Sequence, residues 1–154
     1  MSDVPGLMIP IQDMYGRIVG FSKRRLDDGK PKYKNTSDDD IFKKGSILYN
    51  YHRAIKLVKK HNCLHVVEGY LDVISAHQQG VPCVGYLSSK VTKQQIIILK
   101  ELQERFPDVT IVLSTDNPQV DEAGRKMLPR IRDSFMKYAP NINVRCVVFP
   151  KEGE

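Results

Sequence analysis

Along residues 1–35 apolar and polar positions alternate in short runs, the period of half-buried strands. The runs 7–11 (LMIPI) and 17–22 (RIVGFS) flank QDMYG, which predicts an antiparallel hairpin with a loop of a few residues. A second turn signal, Asp28-Gly29, leads into a Lys-rich extended piece that Pro31 keeps out of a helix. Residues 37–40 (SDDD) read as polar and exposed. From Ser46 the period changes to 3.6: Ile47, Leu48, Tyr51, Ala54, Ile55 and Val58 share one face, which predicts an amphipathic helix of about 15 residues. Beyond it strand and helix alternate. Strands are predicted at 63–67, 83–87, 109–114 and 143–149, with helices at 70–79, 93–106 and 121–138 between them. Thr92 and Gln95 predict a capping box, and Pro129 predicts a kink or split in the last helix. The pattern implies βαβ units. The fold class is therefore α/β, a parallel sheet flanked by helices over residues 61–154, preceded over residues 1–60 by a small lobe of antiparallel strands and one helix.

Composition narrows this picture. A chain of 154 residues with 41% hydrophobic and 27% charged residues has the make-up of a globular domain. No apolar run approaches the roughly 20 residues of a membrane span, and no basic-then-apolar leader opens the chain. Cys63, Cys83 and Cys146 are scattered and form no C-x-x-C pair, which argues against a disulfide scaffold or zinc ribbon and predicts a reducing, cytoplasmic setting. Charge divides the chain unevenly. Residues 1–60 hold 13 Lys/Arg against 7 Asp/Glu, and residues 61–154 hold 11 against 11. A one-sided basic region reads either as a phosphate or nucleic-acid surface or as an ordinary solvated face.

The candidate chemistry lies in the acids. In an open parallel sheet the reactive edge is the carboxyl end of the strands. Glu68 ends the first predicted strand of that sheet, Asp116 follows the third, and Asp121 opens the helix after it. Clustered carboxylates repel one another unless protonated or bridged by a cation, and hard oxygen ligands select Mg²⁺ or Mn²⁺. Such a site serves phosphoryl transfer. Each acid also has a plainer reading. Asp121 sits where an N-cap is expected, and Asp72 lies in a first helical turn, where it favours the helix dipole. Glu68 at the end of a mostly apolar strand has no such ready explanation. His65, alternating with Leu64 and Val66, reads as structural, as do the cysteines in or beside strands.

The stretch VVEGYLDVISAHQQG (66–80) resembles the Glu-Gly-Tyr-x-Asp motif of the TOPRIM domain in bacterial DNA primases, and DEAGRK (121–126) resembles the end of that family's second acidic motif. Upstream, MIPIQDMYGRIVGFSKRRL, GKPKYKNT and IFKKGSILY resemble, in family order, the segments that lead into the primase TOPRIM fold and line its polymerase cleft. The resemblance implies Glu68 as a catalytic acid that also holds metal, Asp72 as its support, and Asp116 and Asp121 as metal ligands. It implies Arg24, Lys32, Asn35 and Lys44 as cleft positions for template or nucleotide phosphates, in agreement with the charge asymmetry. There are departures. Four residues separate Asp116 from Asp121 where the family has one, and Ser88-Ser89-Lys90 replaces a Gly-Thr pair, with Lys90 adding charge to that loop. The family's zinc-binding and helicase-binding regions have no counterpart here.

The function expected is thus the polymerase-core part of a primase, of chromosomal or mobile-element origin. It would make RNA primers on single-stranded DNA from nucleoside triphosphates with Mg²⁺ or Mn²⁺, and contact a replicative helicase through a region absent here. Strand binding would be mainly electrostatic, with Tyr33 the candidate for stacking. Two alternatives stand beside it, a TOPRIM nuclease and a metal-free single-strand binding module.

Overall fold

Apolar alternation and turn chemistry build the first sheet. The computed structural model describes residues 5–39, 42–88, 90–114 and 122–147. Strands β1 (Gly6–Gln12) and β2 (Ile18–Arg25) pair antiparallel, and β3 (Tyr33–Asn35) adds to β2. Asp13 closes the β1–β2 turn: its carboxylate accepts from the N–H groups of Tyr15 and Arg17, and Gly16 takes φ +87°. One face of this sheet, through Ile9 and Ile11, is buried with Phe42. The acidic stretch before Phe42 is exposed as expected at residues 37–39. Its side chains cap the turn, since Asp39 accepts from Phe42 N–H at 2.7 Å and Asp38 from Lys44 N–H at 3.3 Å.

The predicted helix from Ser46 begins only at Tyr51. A single 3-10 turn, Lys44–Ser46, comes first, and the chain then runs extended. Tyr49 exchanges backbone hydrogen bonds with Gly85, 2.9 and 3.2 Å, and Asn50 turns left-handed at φ +67° before α1 (Tyr51–His61) starts. Leu48 and Tyr49 are therefore buried as extended chain, although the spacing of Leu48 to Tyr51 also matches a helical face. Long-range strand pairing has overridden a local 3.6 period.

The second sheet is parallel, in the order β5 (Cys83–Gly85), β4 (Cys63–Val67), β6 (Thr110–Leu113), β7 (Val144–Cys146). Helices α2 (Tyr70–Gln78), α3 (Lys93–Arg105) and α4 (Glu122–Tyr138) connect its strands. The α/β architecture expected from the alternation is the one observed, and α4 continues as one helix through Pro129. Leu64, Val66, Val84, Ile111 and Leu113 meet α1, α3 and α4 in the main core. On the opposite face Tyr70 and Val73 of α2, with Cys83, join the core of the antiparallel sheet. Strand order departs from β4 in both directions, so the crevice between the carboxyl ends of β4 and β6 is the topological switch point, where ligands bind in such sheets.

Candidate active site

Glu68 stands at that edge. β4 ends at Val67, Glu68 bends out half-buried, and Gly69 forms the N-cap of α2. The loop after β5 folds back over this turn, with Tyr86 N–H donating to Val67 O at 3.0 Å and Leu87 N–H to Glu68 O at 3.1 Å. Leu87 takes φ +56° to do so, an uncommon conformation for a side-chain-bearing residue and one concentrated at functional turns. On the other side Ser114 N–H donates to Val66 O, so β6 ends beside β4. Glycine at position 69 has a steric reason: an added Cβ would meet Asp72 Oδ2 at 2.5 Å. The Asp72 carboxylate, otherwise exposed, thus lies against the Glu68–Gly69 turn.

Tyr70 joins this acidic turn to the basic sheet. It is 4% exposed, and its hydroxyl donates to Asn35 Oδ1 at 2.9 Å. Its ring contacts Tyr33, centroids 5.5 Å apart, and Tyr49 edge-on at 5.0 Å. Burial pushes the Tyr70 phenol up to about 12, and Ser22 beside it opposes that rise, although its buried Oγ closes no hydrogen bond of ordinary geometry. Ser22 pairs with Asn35 and Arg24 with Tyr33 across β2 and β3, so these four share the face turned to α2. The Arg24 guanidinium lies 5.9 Å from the Tyr33 ring centre, and its buried Nε has no hydrogen-bond partner. Tyr33, expected to stack on a strand, is already engaged by Tyr70 and Arg24. Burial and the Asp72 carboxylate together push the Cys83 thiol up to about 12, which keeps it protonated.

A third group of contacts holds the other cations. The expected capping box is present: Thr92 Oγ1 accepts from Gln95 N–H at 3.2 Å, and Gln95 Oε1 from Thr92 N–H at 3.0 Å. Fully buried Gln95 also donates through Nε2 to Ile47 O, 2.8 Å, and Tyr86 O, 3.0 Å, while Thr92 donates to Gly45 O. The start of α3 therefore ties the turn bearing Lys44 to the loop bearing exposed Lys90.

The structure thus joins Asn35 to the Glu68–Asp72 turn through Tyr70, sets Arg24 beside Tyr33 on the same sheet face, and joins the segments of Lys44 and Lys90, while Lys32 is exposed beside β3. Asp116 and Asp121 lie outside the described residues. Among the described residues no group of three or more His, Cys, Asp or Glu side chains is placed to hold a metal. Glu68 and Asp72 are the hard-oxygen donors at this turn among the described residues, and carboxylate chemistry fits Mg²⁺ or Mn²⁺. Sequence reasoning gave Tyr70 no role and gave Gln95 only its part in the capping box. A tyrosine inside an acidic motif and a glutamine at the third helical position were the available signals, but their long-range partners are invisible in sequence.

Residues 6–55 match the family model of the DNA primase catalytic core, N-terminal domain, and residues 65–154 match the Toprim-like model. The DNA primase of Synechococcus elongatus is 38% identical over 147 residues, covering 94% of this chain and 20% of the relative, and that of Deinococcus radiodurans is 44% identical over 121 residues, covering 78% and 20%. The chain therefore spans about a fifth of the length of these relatives. Among solved structures, a DnaG catalytic core superposes with TM-score 0.77 at 33% identity over 97% of this chain and 46% of the other. The zinc-binding and RNA polymerase domains of Aquifex aeolicus primase give 0.79 at 28% identity, over 100% and 38%. A DnaG catalytic domain bound to single-stranded DNA gives 0.76 at 32%, over 97% and 46%.

Proposed function

Because this chain belongs to the DNA primase family, a Toprim-like domain behind the N-terminal domain of a primase catalytic core, we propose that it is the polymerase core of a primer-synthesising enzyme. It joins nucleoside triphosphates on a single-stranded DNA template with release of pyrophosphate. The observation that carries this reading is the contact of two chemistries at one sheet edge. An acidic turn at the carboxyl end of β4 is locked by Tyr70 to the face of β2 and β3 that bears Arg24 and Asn35.

Each side has a task suited to its residues. Glu68 is the catalytic acid and, with Asp116 and Asp121, would hold Mg²⁺ or Mn²⁺, with Asp72 in support. A divalent ion there would neutralise charge on the transferred phosphate. Arg24 offers a guanidinium fork, Lys32, Lys44 and Lys90 offer point charges, and Asn35 offers amide donors, all suited to phosphate oxygens. The relative solved with single-stranded DNA supports the template assignment. Contact with a replicative helicase is assigned to parts of the whole protein beyond this chain.

A Mn²⁺ titration read by electron paramagnetic resonance tests the reading, on the unaltered chain, Glu68→Gln and Asp116→Asn, with and without a nucleoside triphosphate. Saturable binding that weakens in both variants is expected, together with template-dependent incorporation of labelled nucleotide that Glu68→Gln abolishes. Absence of saturable binding even with the triphosphate present would turn the assignment toward a metal-free strand-binding module.

A further inference from the structure

The Tyr70 ring accounts for packing and leaves its hydroxyl to be explained. Phenylalanine would fill the same space between Tyr33 and Tyr49. The hydroxyl instead crosses to the basic sheet and donates to Asn35 Oδ1 at 2.9 Å. A carboxamide has two nearly isosteric ends, and a half-turn exchanges two N–H donors for a carbonyl acceptor. An asparagine that faces a phosphate with its carbonyl repels it, and one that faces it with Nδ2 binds it.

We propose that Tyr70 is a positioning residue: by occupying Asn35 Oδ1 it holds the carboxamide with both Nδ2–H donors turned away from the core, toward a phosphate group of the substrate. The inference rests on the polymerase-cleft reading and deepens it. Three further observations bear on it. The phenol is itself held, with rings on two sides and 4% exposure, so it offers a fixed donor. Asn35 shares its sheet face with Arg24, whose buried Nε lacks a partner, and this sets a second unused donor beside the amide. Tyr70 also lies two positions from Glu68, so one side chain couples the phosphate-facing amide to the acidic turn.

The phosphate has two chemical sources, the triphosphate of an incoming nucleotide and the backbone of a single strand. The test is ¹⁵N NMR of the Asn35 side-chain amide in the whole chain, during titration with a purine nucleoside triphosphate and, separately, with a short single-stranded oligodeoxynucleotide. In the unaltered protein the Asn35 Nδ2 group should show the high order parameter of a held amide, and its resonances should move with one titrant, which identifies the source. In Tyr70→Phe that order parameter should fall as the carboxamide turns freely about its Cβ–Cγ bond, and affinity for that titrant should fall about three- to tenfold, the usual weight of one hydrogen bond. In an Asn35→Ala background Tyr70→Phe should cost nothing further. Asn35→Asp keeps an acceptor for the phenol but offers no donor, so it should lose titrant binding while melting like the parent. A Tyr70→Phe amide unchanged from the parent, or losses that add in full, would overturn the inference while leaving the cleft reading intact. Failure of the unaltered chain to bind either titrant would overturn the cleft reading, and the inference with it.

Discussion

The two sheets of this protein solve different problems. The parallel sheet packs one face under three helices, with Leu64, Val66, Ile111 and Leu113 essentially inaccessible, and it lies in the part of the chain with no net charge. The antiparallel sheet buries one face and leaves Met8 and Phe21 about 40% exposed on the other, at 43% and 40%, and it belongs to the part carrying the whole excess of six positive charges. The acids stand on the frame that packing determines most completely. The cations stand on a lobe joined to that frame by a second apolar core, in which Ile9, Ile11 and Phe42 meet Tyr70, Val73 and Cys83, and by hydrogen bonds that include Tyr49 with Gly85, Tyr70 with Asn35, and Gln95 with Ile47. The spacing between acid and cation is thus set by this smaller core and by the polar and aromatic contacts around it, while the main core sets the platform beneath.

The largest expected effect tests the asymmetry of packing. Ile111→Ala, in the centre of the parallel sheet, should destabilise the chain by about 3–4 kcal/mol in urea titration, from lost burial plus the cavity left behind. Phe21→Ala should cost much less, since its ring is already 40% exposed. Equal losses at the two sites would mean that the outer face of the small sheet is not the solvent-facing surface described here.

Gln95→Ala comes next. It strips hydrogen bonds from Ile47 O, Tyr86 O and Thr92 N–H at a fully buried position, so about 2–3 kcal/mol should be lost. Because Gln95 joins the lobe to the platform, hydrogen exchange should rise first in residues 44–49 and not in β4 or β6. Uniform acceleration across both sheets would dissolve the distinction.

The dependence of stability on pH is broader and shallower. Burial raises the thiol of Cys83 and the phenol of Tyr70 to about 12, from ordinary values of 9.0 and 10.0, and raises Tyr49 and Tyr51 as well. The unfolded chain ionises these groups first, so their contribution is full below pH 9 and is lost as pH rises toward 12. Burial lowers His52 and His65 below 6.5. The unfolded chain then takes up protons more readily, and stability present above pH 6.5 is lost as pH falls. Melting temperatures from pH 4 to 11 should trace a dome between those limits, and a steady rise into alkaline pH would contradict it.

The smallest effect on stability should accompany a clear effect on binding. Lys32→Ala, at an exposed position, should leave the melting curve unchanged while lowering single-strand affinity and reducing the slope of log affinity against log salt by about 0.7. An unchanged slope would remove Lys32 from the phosphate surface.

Much of this was legible along the chain. Alternation gave the hairpin and the four parallel strands, and the period of 3.6 gave α2, α3 and α4. The Thr92–Gln95 box was readable because both partners lie within one helical turn. The placement of Glu68 followed from strand and helix order, since the carboxyl edge of a parallel sheet is fixed by topology. Residues 46–50 were misread because a buried extended segment and a helical face can share the same apolar spacing, and only the pairing of Tyr49 with Gly85 distinguishes them.

What the sequence determined by itself is therefore local or topological: periodicity, caps, turn residues, charge asymmetry and the edge on which Glu68 falls. What tertiary structure alone decided is which distant groups meet. Asn35 and Tyr70 are 35 residues apart, and Gln95 and Ile47 are 48 apart. Neither pair has a sequence signature, because a hydrogen bond across two docked lobes depends on the orientation of both lobes. Those contacts hold the cations against the acids, and they exist only once the two sheets have packed around α2.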